Sequence, residues 1–259
     1  MHERLSFFVR RDSPIHSLNP MTKVVLAFSL VLIAFSSPWY WTPLTIFLLV
    51  IVPLTLIGKV AREYWNFFFK VILPTVLVLF IMQALFLPGE SKIIFDIFGL
   101  EITELSARLA FRNATRIAVM VSSFTILLLT THPSELMSDL TRRGLPGQFA
   151  YVIISSLQII PQMQAKAQTI ISAQRSRGLD TQSSFLRRAG SLIPLVGPLV
   201  FGSLVEVEER AIAIEARGFT SPKTKTSLHE IPDTSTDKRI RWLLAAFVLI
   251  SLALRLWPS

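Results

Sequence analysis

The chain contains no cysteine, which excludes disulfides, thiolate metal sites and cysteine nucleophiles. Its four histidines, His2, His16, His132 and His229, lie far apart and lack ligand-like spacing, so no metal site is expected. No Gly-x-x-x-x-Gly-Lys-Ser/Thr phosphate loop occurs, so the chain is not expected to hydrolyse ATP itself. Histidines and acids clustered at a membrane face, as a lipid-modifying transferase would want, are also missing. No apolar run holds a pair of acids, where a proton relay would often place them. Negative charge is in short supply: 17 acidic against 26 basic side chains leave a net +9. That balance suits nucleic acid, anionic lipid or an acidic protein partner. A secretory signal is not read at the start, because Met1-His2-Glu3-Arg4 leads into only a short apolar stretch, Leu5 to Val9.

What the chain has in excess is apolar sequence, 51% of its residues, gathered in runs long enough to cross a bilayer. A soluble domain must also cover its surface with polar groups, so this composition points to a membrane protein. Five spans are expected, at roughly Met21–Ser37, Trp41–Gly58, Phe67–Leu87, Ala110–Thr130 and Ile240–Trp257. Basic residues set the direction. Arg4, Arg10, Arg11 and Lys23 place the N-terminus in the cytoplasm, and Lys59, Arg62 and Lys70 return the chain there after the second span. The uncharged turn with Trp39, Tyr40 and Trp41, and the acidic loop with Glu90, Asp96, Glu101 and Glu104, suit the outside. On this scheme the C-terminus lies outside.

Ala150–Ile160 and Leu192–Val205 are shorter apolar stretches. As spans they would place Lys166, Arg175, Arg177, Arg187 and Arg188 outside, so both are read as parts of helices along the cytoplasmic membrane face. Two polar features lie inside spans. Arg108, Arg112 and Arg116 share one face of the fourth span at i, i+4, i+8. They fit either snorkelling with pairing to Glu101 or Glu104, or a buried contact with a neighbouring helix. Gln83 fits a helix–helix hydrogen bond, and Pro53 and Pro74 are tolerated as kinks.

After the fourth span, His132-Pro133-Ser134 opens a short helix to about Arg143, with Gly144 as its stop. A longer helix, kinked at Pro161, follows from Leu145-Pro146 to Arg177, and another is expected from Pro194 to Arg217. The ends of these two helices are built alike: Ser176-Arg177-Gly178-Leu179 and Ala216-Arg217-Gly218-Phe219. Arginine answers the helix dipole, glycine takes the left-handed position, and the apolar residue packs back on the helix. Capping also fixes where the arginine points, and two such ends suit a paired docking device that binds carboxylates through the planar guanidinium. The acidic cluster Glu206, Glu208, Glu209 and Glu215 reads as a solvated face with local pairing such as Glu206 with Arg210. The expected organisation is a four-span membrane region at 1–131, cytoplasmic helices at 132–220, a Ser/Thr/Pro-rich linker at 221–238 and a last span at 239–259.

With these motifs in place, the chain resembles the transmembrane coupling subunit, or T component, of energy-coupling factor (ECF) transporters. The resemblance rests on Ser13-Pro14-Ile15-His16-Ser17-Leu18-Asn19-Pro20-Met21-Thr22-Lys23, on Pro133-Ser134-Glu135-Leu136 and on Gly144-Leu145-Pro146. Its most specific elements are the two arginine-containing ends and Ser191-Leu192-Ile193-Pro194. It implies an all-α membrane protein of about five transmembrane helices with cytoplasmic coupling helices, non-catalytic, in a prokaryotic cell membrane. It implies that two ABC-type ATPase subunits dock on Ser176-Arg177-Gly178 and Ala216-Arg217-Gly218, with Arg177 and Arg217 as anchors. Ser176 departs from the alanine of the family pattern, though both residues are small. A substrate-binding S component, carrying a vitamin or a metal ion, would sit on the membrane-facing side of the same helices. ATP would be bound by the partners, and this chain would hold no cofactor. Two rival readings are a self-contained permease of an ABC importer and a lipid-binding membrane scaffold.

Overall fold

Each of the five long apolar runs forms a helix, the form in which a backbone surrounded by hydrocarbon satisfies its own N–H and C=O groups. The structure, a computed structural model, describes residues 11, 13–86, 93–97, 100–178, 185–219, 221 and 232–256. Arg4, Arg10, Glu90, Lys92, Leu179 and most of the expected linker, with His229, lie outside the described residues. In chain order the elements are α1 (Pro20–Ser36), α2 (Thr42–Ile57), α3 (Ala61–Phe86), β1 (Ile93–Ile97), β2 (Leu100–Thr103) and α4 (Glu104–Thr130). They continue with α5 (Pro133–Arg142), α6 (Gly147–Ser176), α7 (Phe185–Ala216) and α8 (Ser235–Leu256). Helices α3 and α4 are long and apolar enough to cross a membrane, and α1 and α2 are shorter apolar helices.

Helices α2 and α3 share a local device. Each contains a π-turn, Phe47–Ile51 and Phe68–Ile72, placed just before Pro53 and Pro74. Proline has no N–H to return to the fourth residue before it, and its ring crowds that carbonyl. The wider turn absorbs both effects inside a continuous helix. The surrounding sequence is the same in outline, Phe-x-x-Val-Ile-x-Pro, and the rings of Phe47 and Phe68 meet with centroids 5.5 Å apart.

The core joins these helices to α1 and α4 through Leu30, Ala34, Ile46, Ile51, Val60, Tyr64, Val119, Ile126 and Leu129. Some polar side chains are paired across these helices. The Tyr64 hydroxyl donates to Ser122 Oγ at 2.8 Å, and Asn113 Nδ2 donates to Gln83 Oε1 at 3.0 Å. Gln83 thus makes the interhelical bond expected of it. Lys23, buried near the start of α1, donates to the carbonyls of His16 at 3.1 Å and Thr130 at 2.9 Å.

Two expectations change. The segment before α4, read as a plain loop, contains the antiparallel hairpin β1–β2, pairing Asp96 with Glu101 and Ile97 with Leu100. Thr103 at its end caps α4 reciprocally: Thr103 Oγ1 accepts from the Ser106 N–H, and Ser106 Oγ accepts from the Thr103 N–H at 3.1 Å. Helix α7 starts at Phe185, not at Pro194, so Pro194 and Pro198 lie within it. A proline forfeits one backbone bond, and the apolar sequence on both sides continues the helix past it.

The described residues form two compact units. One is the membrane unit, made of those between 11 and 145 together with 232–256. The other, inserted into it along the chain, holds α6 and α7.

Candidate functional site

Both arginine-bearing ends are helix C-termini closed by a glycine. Helix α6 ends at Ser176 with Arg177 as its cap, and Gly178 takes φ +90°. Helix α7 ends at Ala216, with Arg217 next and Gly218 at φ +71°. A side chain in this region of φ meets its own backbone, so glycine is the residue that closes the turn without strain. The second end is a complete Schellman turn: the Phe219 N–H donates to Ile214 O at 3.2 Å and the Gly218 N–H to Glu215 O at 2.9 Å. At the first end, the Gly178 N–H makes the matching bond to Arg175 O at 3.0 Å.

Ser176, Arg177, Gly178, Ala216, Arg217 and Gly218 are all exposed. Ser176 Oγ donates to Ser172 O of its own helix at 3.2 Å, so its hydroxyl is taken up locally and the residue behaves as a small one. The expected packing of the residue after glycine takes a different form at Phe219. Its ring lies against Tyr151 of α6, with centroids 5.2 Å apart.

That contact is one of several between the described residues of the two helices. Ser203 Oγ of α7 lies 3.3 Å from Met163 Sδ of α6, and Lys166 Nζ pairs with Glu206 at 3.2 Å. From the Tyr151–Phe219 contact to these two, residue numbers rise along α6 while they fall along α7, so the helices run antiparallel. Gly202 sits at the crossing, where a Cβ would lie 3.2 Å from the end of the Lys166 side chain. Glu206 also pairs with Arg210 at 3.6 Å, the local partner expected for it.

The Lys166–Glu206 bridge is a natural reference point for the two ends. Arg177 lies eleven residues beyond Lys166, and Arg217 lies eleven residues beyond Glu206. At the helical rise, each arm is about 16 Å long. In an antiparallel pair those equal arms point away from the crossing in opposite senses. Each arm ends in an exposed arginine beside a glycine-closed turn.

Sequence reading passed over a third copy of the same pattern, Arg143-Gly144-Leu145 at the end of α5. Gly144 has φ +113°, and the Leu145 N–H donates to Leu140 O at 3.0 Å. Here the arginine is engaged, not presented. Arg143 Nε binds Asp139 Oδ2 at 2.8 Å and its guanidinium lies 3.6 Å from Asp233. Arg-Gly-apolar is therefore a capping signature first, and only the surroundings decide what the arginine does next. The signal that separates the cases is an acid one turn earlier, present as Asp139 before Arg143 and absent at Ala173 before Arg177 and Ala213 before Arg217.

Comparison with known proteins shows the family. The family described as "CbiQ: Cobalt transport protein" matches residues 11–228, well over half of the chain. The chain belongs to this family. Three relatives are each an "Energy-coupling factor transporter transmembrane protein EcfT". That of Leuconostoc gelidum subsp. gasicomitatum is 30% identical over 263 residues, spanning 96% of each chain. That of Limosilactobacillus fermentum is 31% identical over 265 residues, spanning 97% of this chain and 96% of its own. That of Lactococcus lactis subsp. cremoris is 25% identical over 262 residues, spanning 97% and 96%. This CbiQ-family chain is accordingly the transmembrane component, or T component, of an ECF transporter, and a membrane protein.

Proposed function

We propose that this subunit is the mechanical coupler of an ATP-driven importer of a vitamin or a metal ion. Two ABC-type ATPase subunits dock on the ends of α6 and α7, one through Ser176, Arg177 and Gly178, the other through Ala216, Arg217 and Gly218. ATP stays with those partners; this chain binds no cofactor and performs no catalysis. The observation that carries the reading is the pair of exposed arginines on matched arms, each held by a glycine-closed turn and equally distant from the Lys166–Glu206 crossing. The turn fixes where each arginine leaves the backbone, and its planar guanidinium offers a carboxylate on a partner a bidentate contact.

The same two helices leave apolar side chains exposed. On α6 they follow the stripe Phe149, Val152, Ile153, Leu157 and Ile160, and α7 adds Val200, Phe201 and Leu204 among others. That surface suits the substrate-binding S component. With the N-terminus and α6–α7 on the cytoplasmic side, closure of the ATPase pair moves the arginine-bearing arms, and the arms move the S component. Coupling of this kind requires each partner to bind the two arrangements with different affinity.

The test is co-purification in detergent with both ATPases, comparing wild type with Arg177→Glu/Arg217→Glu. Wild type is expected to retain the ATPases, and a monodisperse double variant is expected to lose at least nine-tenths of them. Full retention and uptake by the variant would end the assignment of these arginines. If wild type retains no ATPase, substrate binding by this chain alone would instead favour a self-contained permease. Lipid binding indifferent to both arginines would favour a scaffold.

A further inference from the structure

Asn19 precedes α1 and is fully buried, with every hydrogen-bonding group of its side chain engaged. Its Oδ1 accepts from the Met21 N–H at 2.9 Å and caps the helix, while its Nδ2 donates to Asp139 Oδ1 of α5 at 3.1 Å. Its own backbone N–H donates to Asp237 Oδ1 of α8 at 3.0 Å. The amide supplies an acceptor to the helix and, from a separate atom, a donor to a carboxylate.

The contacts continue into a closed ring. Asp139, also buried, holds Arg143 Nε at 2.8 Å through its second oxygen. Arg143 reaches Asp233 at 3.6 Å, and Asp233 is held by Arg241 of α8 at 2.7 Å. That bond keeps the Asp233 carboxyl below the usual carboxylate range. Asp237, on the same first turns of α8 and buried, accepts from the Thr234 N–H at 3.1 Å and returns to Asn19. The ring thus joins α1, α5 and α8 at one end of the membrane unit.

Its position along the chain is what gives it a role. Arg143 lies three residues before the chain enters the unit of α6 and α7 at Pro146, and Asp233 is among the first residues described after the chain returns. The chain's exit and re-entry are therefore fastened to each other and to the cap of α1. A fastening needed only for stability would be served as well by apolar packing, since partly exposed ion pairs such as Arg143–Asp233 add little stability. What ion pairs and an amide add is fixed direction, which apolar contacts do not supply.

We propose that this ring is the anchor through which movement of α6 and α7 reaches the membrane helices, with Asp139, Arg143 and Asp233 as positioning residues for transport. The proposal rests on the coupling reading above. When the arms of α6 and α7 move, both connections to the membrane unit start from one rigid node, so the displacement is delivered to α1 and α8 and is not lost in the connecting chain. The anchor stays closed throughout the cycle.

The absence of cysteine makes the test clean. Arg143→Cys/Asp233→Cys is assembled with both ATPases and the S component, all cysteine-free, and reconstituted in liposomes. The open double variant is expected to keep its ATPases and hydrolyse ATP, with substrate taken up per ATP reduced about tenfold. Bridging the two thiols with a short, reducible crosslinker is expected to restore uptake per ATP to within twofold of wild type, and reductant to remove the gain. Unchanged uptake per ATP in the open variant would overturn the proposal. So would uptake that the crosslink fails to restore, which would mean the node opens during the cycle. If the double variant does not assemble, Asp233→Asn is used, which leaves Asp139–Arg143 in place. Uptake per ATP should then fall about threefold at wild-type assembly, and a loss only in proportion to assembly would show that the ring merely holds the fold. Failure of the coupling reading is distinguishable, because wild type would then retain no ATPase.

Discussion

Arg116 reaches from α4 to the end of α1, where its Nε donates to Ala34 O at 2.9 Å and a terminal nitrogen to Phe35 O at 3.0 Å and Ser37 O at 3.2 Å. The last carbonyls of a helix have no partner within it, and in an apolar setting each must find one. Arg108, on the same face two turns earlier, instead pairs with Glu104 at an exposed position and lies over the Tyr40 ring. Arg116→Leu is therefore expected to cost about 2–3 kcal/mol, through the loss of charge-assisted bonds to helix-end carbonyls. Arg108→Leu should cost no more than about 1 kcal/mol, as exposed ion pairs do. Thermal unfolding in detergent reads the difference, and equal losses would contradict it. The i, i+4, i+8 spacing showed that the arginines share a face, and both sequence readings hold, one for Arg108 and one for Arg116. Which residue took which role was not legible, because the end of α1 lies about eighty positions away in the chain and spacing reports only local neighbours.

At the scale of elements, helix ends were readable and helix pairings were not. A glycine-closed C-terminus depends on a few consecutive residues, so the stops at Gly144, Gly178 and Gly218 could be read directly. The five apolar runs were readable because hydrocarbon leaves the backbone few options. The hairpin β1–β2 escaped notice as a brief pattern beside a strong helical signal. The crossing of α6 and α7 depends on tertiary contact, and its marker is Gly202 facing Lys166. Gly202→Ala should be tolerated, since the flexible end of the lysine can shift by a few tenths of an ångström. Gly202→Leu would have to displace Lys166 from Glu206 or part the helices, costing about 1–3 kcal/mol as overpacking does. Thiol crosslinking between Met163→Cys and Ser203→Cys measures this. The alanine background should crosslink at the wild-type rate and the leucine background about tenfold slower. Equal rates in both would show that the crossing does not depend on close approach at Gly202.

For the whole molecule, the arrangement is a membrane unit with a second unit inserted between α5 and α8. Such an insertion is mechanically useful only if the host is complete without the covalent link that the insertion provides. Two observations bear on this. Helix α8 packs along α1, and buried Asp237 accepts the Asn19 N–H, which joins the last helix to the first across the membrane unit. A protease site placed between residues 222 and 231 and cut in detergent should therefore leave both fragments in one size-exclusion peak. Asp237→Leu in the cut protein removes that carboxylate and leaves the Asn19 N–H unpaired, a loss of about 1–3 kcal/mol. The C-terminal fragment should then separate several degrees lower on heating. If it separates at once from the cut wild type, α8 is held by the linker alone, and the membrane unit is no fixed base for the arms of α6 and α7. If it stays, the base is assembled by side-chain contacts, and the inserted unit can move against it without loosening the helices that it drives.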